Sequence, residues 1–173
     1  MTLTERDGSG NLVWSRNYGS TANEIAYDNV TLPDGGQLAV GYTQSFSASV
    51  SDIMIIRTNN VGTLVWAKKY ARPAADIAYK IVAGCNGKYF FAGSSRTAGS
   101  GNDALLFQID LNGNVLWAKT IGGVLDDGNT VSLGRSGDCG CILTASTFSY
   151  GYGDADYYVA KTDSNGNIAC HAT

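Results

Sequence analysis

Apolar and polar residues alternate along this chain in short runs, and the runs return in the same order. Asp28-Asn29-Val30-Thr31-Leu32 and Lys80-Ile81-Val82-Ala83 alternate with period two, which predicts a first strand. Pro33-Asp34-Gly35-Gly36, Cys85-Asn86-Gly87 and Ser136-Gly137-Asp138-Cys139-Gly140 have the residues of turns. A second strand follows each turn: Gln37 to Thr43, Tyr89 to Ser95 and Cys141 to Thr147. Gly41 and Gly93 lie near its centre, with Ala145 in the third copy, at a place where another element can approach closely. A Ser/Gly/Ala-rich loop leads to Asp52, Asp103 or Asp156, and a third strand begins there. Ile53-Met54-Ile55-Ile56 and Ala104-Leu105-Leu106-Phe107 are apolar throughout, which predicts burial on both faces. A tight turn of the form Asp/Asn to Gly, as in Asp110-Leu111-Asn112-Gly113, predicts a type I turn with a glycine bulge before the fourth strand. No stretch shows helical periodicity over ten or more residues.

The period is set by tryptophan. Trp14, Trp66 and Trp117 are spaced 52 and 51 residues apart, each closing a Gly-x-x-x-Trp phrase. A fourth phrase, Gly166 to Cys170, has Cys where Trp is due. A fixed period near 50 residues is the mark of a repeat architecture. The expected fold is therefore all-β, with about three four-stranded units of ~52 residues. The single repeat domain, 1–173, divides into a partial unit at 1–23 (a hairpin), repeats at 24–75 and 76–126, and an incomplete repeat at 127–173 whose fourth strand is a stub.

The succession from Asp103 to Gly123, repeated in part from Asp156 to Asn167, resembles the seven-bladed β-propeller repeat family of bacterial secreted and surface proteins. The Gly-to-Trp spacing is also similar to the tryptophan-docking motif of quinoprotein-type propellers, although the Asp-to-Gly spacing is one residue shorter. The sialidase Asp-box differs, because Asp110 lies three residues before Gly113 and Trp117 four after it. The resemblance implies propeller-type blades and a tryptophan packed between neighbouring blades, with its N–H bonded to a carbonyl. The alternative is a β-trefoil, also three pseudo-repeats of four strands. Under the propeller reading, the end units need a cover: further repeats of a longer parent chain, a second copy, or open stacking into a filament.

Composition narrows the function classes. Hydrophobic residues make up 44% and charged residues 16% of 173, which is the balance of a folded domain and not of a disordered one. The net charge is −3 without a Lys/Arg cluster, so no nucleic-acid partner is expected. No apolar run approaches the ~20 residues of a membrane span, so no membrane insertion is expected. The N-terminal residues lack the apolar centre of a secretory signal, and such a signal would belong to a longer precursor. Of the four cysteines, Cys85 and Cys139 occupy equivalent turns, so a bridge between them is possible if their α-carbons come within ~7 Å.

Candidate chemistry is sparse. Trp14, Trp66 and Trp117 read as structural pegs, as do Cys85 and Cys139 as a staple. Asp52, Asp103 and Asp156 read as loop caps, and no metal site or cofactor is expected. Gly151-Tyr152-Gly153-Asp154-Ala155-Asp156 is the densest loop, and Tyr150, Tyr152, Asp154 and Asp156 are the binding candidates, with Tyr157 and Tyr158 as further tyrosines of which alternation would send some to the core; Tyr is favoured at partner surfaces. The lone His171 has no nucleophile or orienting partner in the sequence, so no catalytic residue is assigned. The expectation is a non-enzymatic extracellular or cell-surface module for protein interaction, adhesion or self-assembly. Its partners are then itself, further repeats, a surface protein or a glycan. The alternatives are a carbohydrate-binding module and, behind it, a propeller hydrolase or lyase.

Overall fold

The computed structural model describes residues 1–45, 51–72, 75–97 and 101–172, and of residues 97, 130 and 170–172 the backbone only. Among the described residues, fourteen strands form a hairpin and three four-stranded antiparallel sheets. The hairpin pairs β1 (Thr2–Arg6) with β2 (Leu12–Asn17). The first sheet holds β3 (Glu24–Thr31), β4 (Gln37–Thr43), β5 (Asp52–Thr58) and β6 (Leu64–Tyr70). The second holds β7 (Ala75–Ala83), β8 (Lys88–Thr97), β9 (Gly101–Asp110) and β10 (Val115–Ile121). The third holds β11 (Asp127–Arg135), β12 (Cys141–Thr147), β13 (Asp156–Thr162) and β14 (Ile168–Ala172). Each is a simple meander in which strands pair only with their neighbours in sequence. That is the propeller-type unit and not the trefoil, whose barrel would pair strands of different units.

The fourth strand of the last unit, expected as a stub, is β14, with 5 residues against the 7 of β6 and of β10. Its register against β13 runs from Thr162↔Ile168 to Val159↔Ala172. Main-chain pairing needs no tryptophan, so the Cys at 170 does not prevent it. The side chains of Cys170 and His171 lie outside the described residues.

The turn before each fourth strand explains its sequence. In the third copy Asp110 Oδ1 accepts the N–H groups of Asn112 and Asn114 at 2.9 and 2.8 Å, and Asn114 Nδ2 donates to Asp110 Oδ2 at 2.8 Å. Gly113 N–H closes the turn on Asp110 O at 3.0 Å. Gly113 has a φ of +73°, the left-handed geometry that the bulge requires and that favours glycine. Asp7 and Asp163 build the same network with Asn11 and Asn167.

These turns also receive the tryptophans. A Cβ on Gly62 would lie 2.7 Å from the Trp14 ring, one on Gly113 2.9 Å from Trp66 and one on Gly166 2.7 Å from Trp117. Each indole thus packs on the bare glycine of the next unit's turn, ring face against Gly62 and Gly166 and through its Cη2 end at Gly113. Tyr18 and Tyr70 donate hydroxyl hydrogen bonds to the same glycines, to Gly62 O at 2.5 Å and Gly113 O at 2.6 Å. The indole N–H groups behave less uniformly than expected. Trp117 Nε1 donates to Ser164 O at 3.4 Å, while Trp14 Nε1 and Trp66 Nε1 are buried without a partner. Ring packing on the turn, not the N–H bond, is what the three copies share.

Between the sheets lie apolar cores. Leu38, Val40, Ile53 and Ile55 of the first sheet meet Phe91, Leu105, Phe107 and Ile109 of the second. Phe90, Ala92, Ala104 and Leu106 of the second sheet's other face meet Leu143, Ala145, Tyr158 and Ala160 of the third. The second sheet is therefore buried on both faces. Gly41 and Gly93 lie where the bulged first strand crosses the second, and a Cβ on either would collide with Ile25 O or Ile77 O. The hairpin covers the first sheet with Tyr18 over Ala39, Met54 and Ile56. Ala39 and Ile56 replace Phe91 and Phe107 of the second sheet, and a cleft of about 680 Å³ opens there beside Tyr18, Met54 and Ile56. Cys85 and Cys139 form a disulfide with α-carbons 5.4 Å apart, stapling the second sheet to the third through their first turns. Such a bond points to an oxidising compartment.

Two outcomes follow for stability. Trp66→Ala, at a half-buried ring, lowers unfolding free energy by about 2–3 kcal/mol, under the ~3–5 of a fully buried aromatic. Gly113→Ala costs more than about 1 kcal/mol, through its positive φ and its clash with the same ring. Urea melts of both variants and their double mutant check the pair; strict additivity would deny the contact. Reduction of the disulfide, or Cys85→Ser, costs up to about 4 kcal/mol, which thermal melts with and without reductant measure.

Candidate functional site

The start of each sheet's third strand meets the start of the next sheet's first strand at a cluster of acids. Between the first and second sheets these are Asp52 and Asp76, both buried. Lys69 Nζ lies 3.0 Å from Asp52, and Arg72 grips Asp76 through Nε at 2.9 Å and Nη2 at 3.1 Å. Asp76 N–H donates to Ser51 O at 2.8 Å and ties the main chains beside the two carboxylates together. Two negative side chains meet two positive ones. Asp52, expected as a loop cap, is an ion-pair member.

Between the second and third sheets the acids are Asp103 and Asp127, and among the described residues no Lys or Arg forms an ion pair with either. Lys69 sits opposite Met54, and the residue opposite the equivalent Leu105 is Thr120. The residue four before Asp127, equivalent to Arg72, is Gly123. Its N–H donates to Asp127 Oδ2 at 2.6 Å. Asp127 further accepts hydrogen bonds from Thr147 Oγ1 at 2.5 Å, Ser149 Oγ at 2.6 Å and Phe148 N–H at 3.1 Å. Burial alone would raise its pKa, but the bonds from Ser149, Thr147 and Gly123 outweigh it and hold the carboxyl below the usual range. Asp103 is only 7% exposed, and its Oδ1 is buried without a hydrogen-bond partner. Burial, then the charge of Asp127, push its pKa up, with Arg72 opposing. Both carboxylates converge on Gly122, where a Cβ would collide with Asp103 Oδ1 and lie 3.1 Å from Asp127 Oδ2.

Asp127 also pins the loop that carries the sequence candidates. Its bonds fix residues 147–149, and Ser149 Oγ accepts Leu125 N–H at 2.9 Å. Tyr150 donates its hydroxyl to Gly122 O at 3.0 Å, and its ring lies 5.9 Å from Tyr158. Tyr150 is thus partly an anchor. Tyr152 is 100% exposed, and Asp154 is exposed beside it. Asp156 is half-buried, its carboxylate against Gly151. These four residues share a loop but do not converge on one point.

The outer face of the third sheet bears out the exposure expected of Tyr157 and adds Val159 and Ile142, which the sequence did not single out. Tyr157 is 82% exposed, and Val159 and Ile142 are 38% exposed each. By register, Tyr157 corresponds to Ile53 and Ala104, Val159 to Ile55 and Leu106, and Ile142 to Leu38 and Phe90. Those six are buried against a following sheet. Aligning the repeats by face, and not only by phrase, would have found the trio. An open groove of about 330 Å³ runs over this face past Ser132, Thr144, Ser146 and Tyr157. Compared with known proteins, the chain matches no family model and no curated relative.

The raised pKa of Asp103 has a defined sign. A carboxyl whose folded pKa lies above its unfolded value favours the fold below the unfolded pKa, and that contribution is lost as pH rises through the folded pKa. Asp103→Asn, measured in chelator, therefore melts higher than the parent near neutral pH, by about 1 kcal/mol, because a buried charge without a partner is removed. The gap closes on acidification. An equal or lower melting temperature at neutral pH contradicts the assignment.

Proposed function

We propose that this chain is a non-enzymatic, extracellular or cell-surface module of propeller-type repeats that works by docking against other sheets of its own kind. One observation carries the reading: Tyr157, Val159 and Ile142 are exposed at positions whose counterparts in the other two sheets are core. Burying such a face is worth roughly 25 cal/mol per Å² of apolar surface, the same term that holds the internal sheets together. The bacterial surface-protein repeats that the Trp and turn phrases resemble support the same reading, and the disulfide suits an oxidising exterior. The fully exposed Tyr152, in the loop before β13, offers a further aromatic contact to a protein partner.

Val159→Glu puts a charge at the centre of the face without touching the core of the second sheet. Light scattering across a concentration series finds the parent chain associating and the variant remaining a monomer with an unchanged melting temperature. A parent chain that stays monomeric up to high micromolar concentration overturns the self-assembly reading.

A further inference from the structure

The two acidic junctions carry the same carboxylates and opposite charge balances. At the first, Lys69 and Arg72 offset Asp52 and Asp76. At the second, Thr120 and Gly123 stand in the cationic positions and leave Asp103 and Asp127 with a deficit of two positive charges. Arg72 reaches toward this side only through Nη1 to Thr120 Oγ1 at 3.2 Å, its other nitrogens being committed to Asp76. Asp126 adds a third carboxylate nearby, exposed and bonded to Asn102 N–H at 2.8 Å. A buried carboxylate oxygen with no donor is costly and is normally satisfied by a partner, an ion or water. Asp103 Oδ1 is such an atom, aimed at the space over Gly122 that Asp127 also faces.

We propose that Asp103 and Asp127 bind a hard divalent cation of the calcium class, which takes the place of the two cationic side chains found at the first junction. The donors at hand are all oxygen: Asp103 Oδ1, Asp127 Oδ2 and the Ser149 hydroxyl, whose hydrogen turns away from Asp127 when the ion arrives. Calcium accepts irregular oxygen shells completed by water, whereas magnesium demands a regular octahedron and sheds water reluctantly. A single water on Asp103 would fill its lone pair but leave the charge deficit. The bound ion joins β9 to β11 and fixes the 147–150 loop from which Tyr152 projects. It adds a second tie between the second and third sheets, at a different site from the disulfide. The inference is independent of the docking face and stands or falls without it.

Thermal unfolding near neutral pH at constant ionic strength, in chelator and then in calcium chloride or magnesium chloride, tests it. Calcium is expected to bind with a Kd of about 0.1–1 mM. It raises the melting temperature by about 3–6 °C at saturating concentration, and magnesium raises it less. Calorimetric titration finds one ion per chain. Thr120→Lys restores the ammonium of the first junction, so it melts higher than the parent in chelator and loses the calcium response. Asp103→Asn, nearly isosteric, loses the response too and decides the matter if the lysine variant does not fold. No calcium shift in the parent up to about 10 mM overturns the proposal. So does a shift that survives intact in Asp103→Asn, which places the ion elsewhere.

Discussion

The contact on which the architecture depends is an indole lying on a glycine. Each fourth strand delivers a tryptophan to the turn of the following unit, where Gly62, Gly113 and Gly166 have no side chain to hold it off. The same glycine must take a positive φ for the turn to close, so one residue type meets two demands. With the separation of successive turns set in this way, the third strands of neighbouring sheets are brought face to face. The apolar runs from Ile53 and Ala104 can then pack on both sides. Aromatic packing suits the task because it tolerates small rotations between sheets, which an N–H bond would not. This accords with the two indole nitrogens that have no partner.

The junctions built on this plan are unequal. The Phe91–Phe107 stack, with centroids 4.7 Å apart, fills the first inter-sheet core, and its counterparts under the hairpin are Ala39 and Ile56. The acids of one junction are neutralised by side chains, and those of the next are not. The third sheet repeats the face pattern of the first two but leaves its outer face open. A regular scaffold with local departures of this kind is how repeat proteins acquire function: the shared positions hold the stack, and the departures make the sites.

Local rules in the chain were readable because they are short-range. The Asp-x-x-Gly turn, the period-two runs and the central glycines each report a backbone requirement within a few residues, and all reappear in the sheets. The pairing of Cys85 with Cys139 was accessible as an option because equivalent turns of stacked units lie side by side. The last fourth strand was readable as a shortened copy of the others, and main-chain pairing forms it without a tryptophan. The candidate loop was identified by composition, yet Tyr150 proved an anchor. Tyr157 was legible as a possible partner contact, but Val159 and Ile142 were not, because nothing in a run of residues says whether a facing sheet exists.

The sequence by itself determined the unit: four strands, their turns, the tryptophan period and the absence of helical patterning. These follow from side-chain alternation and turn stereochemistry, which act over neighbours in the chain. Only the tertiary structure decided which apolar faces are covered, which buried acids have cations and which do not. Asp52 and Asp103 occupy equivalent places in the sequence repeat. They differ because Lys69 and Thr120, 17 residues further along each unit, come back across the sheet to meet them. Charge balance in a buried junction is a property of residues distant in sequence, and folding alone brings them together.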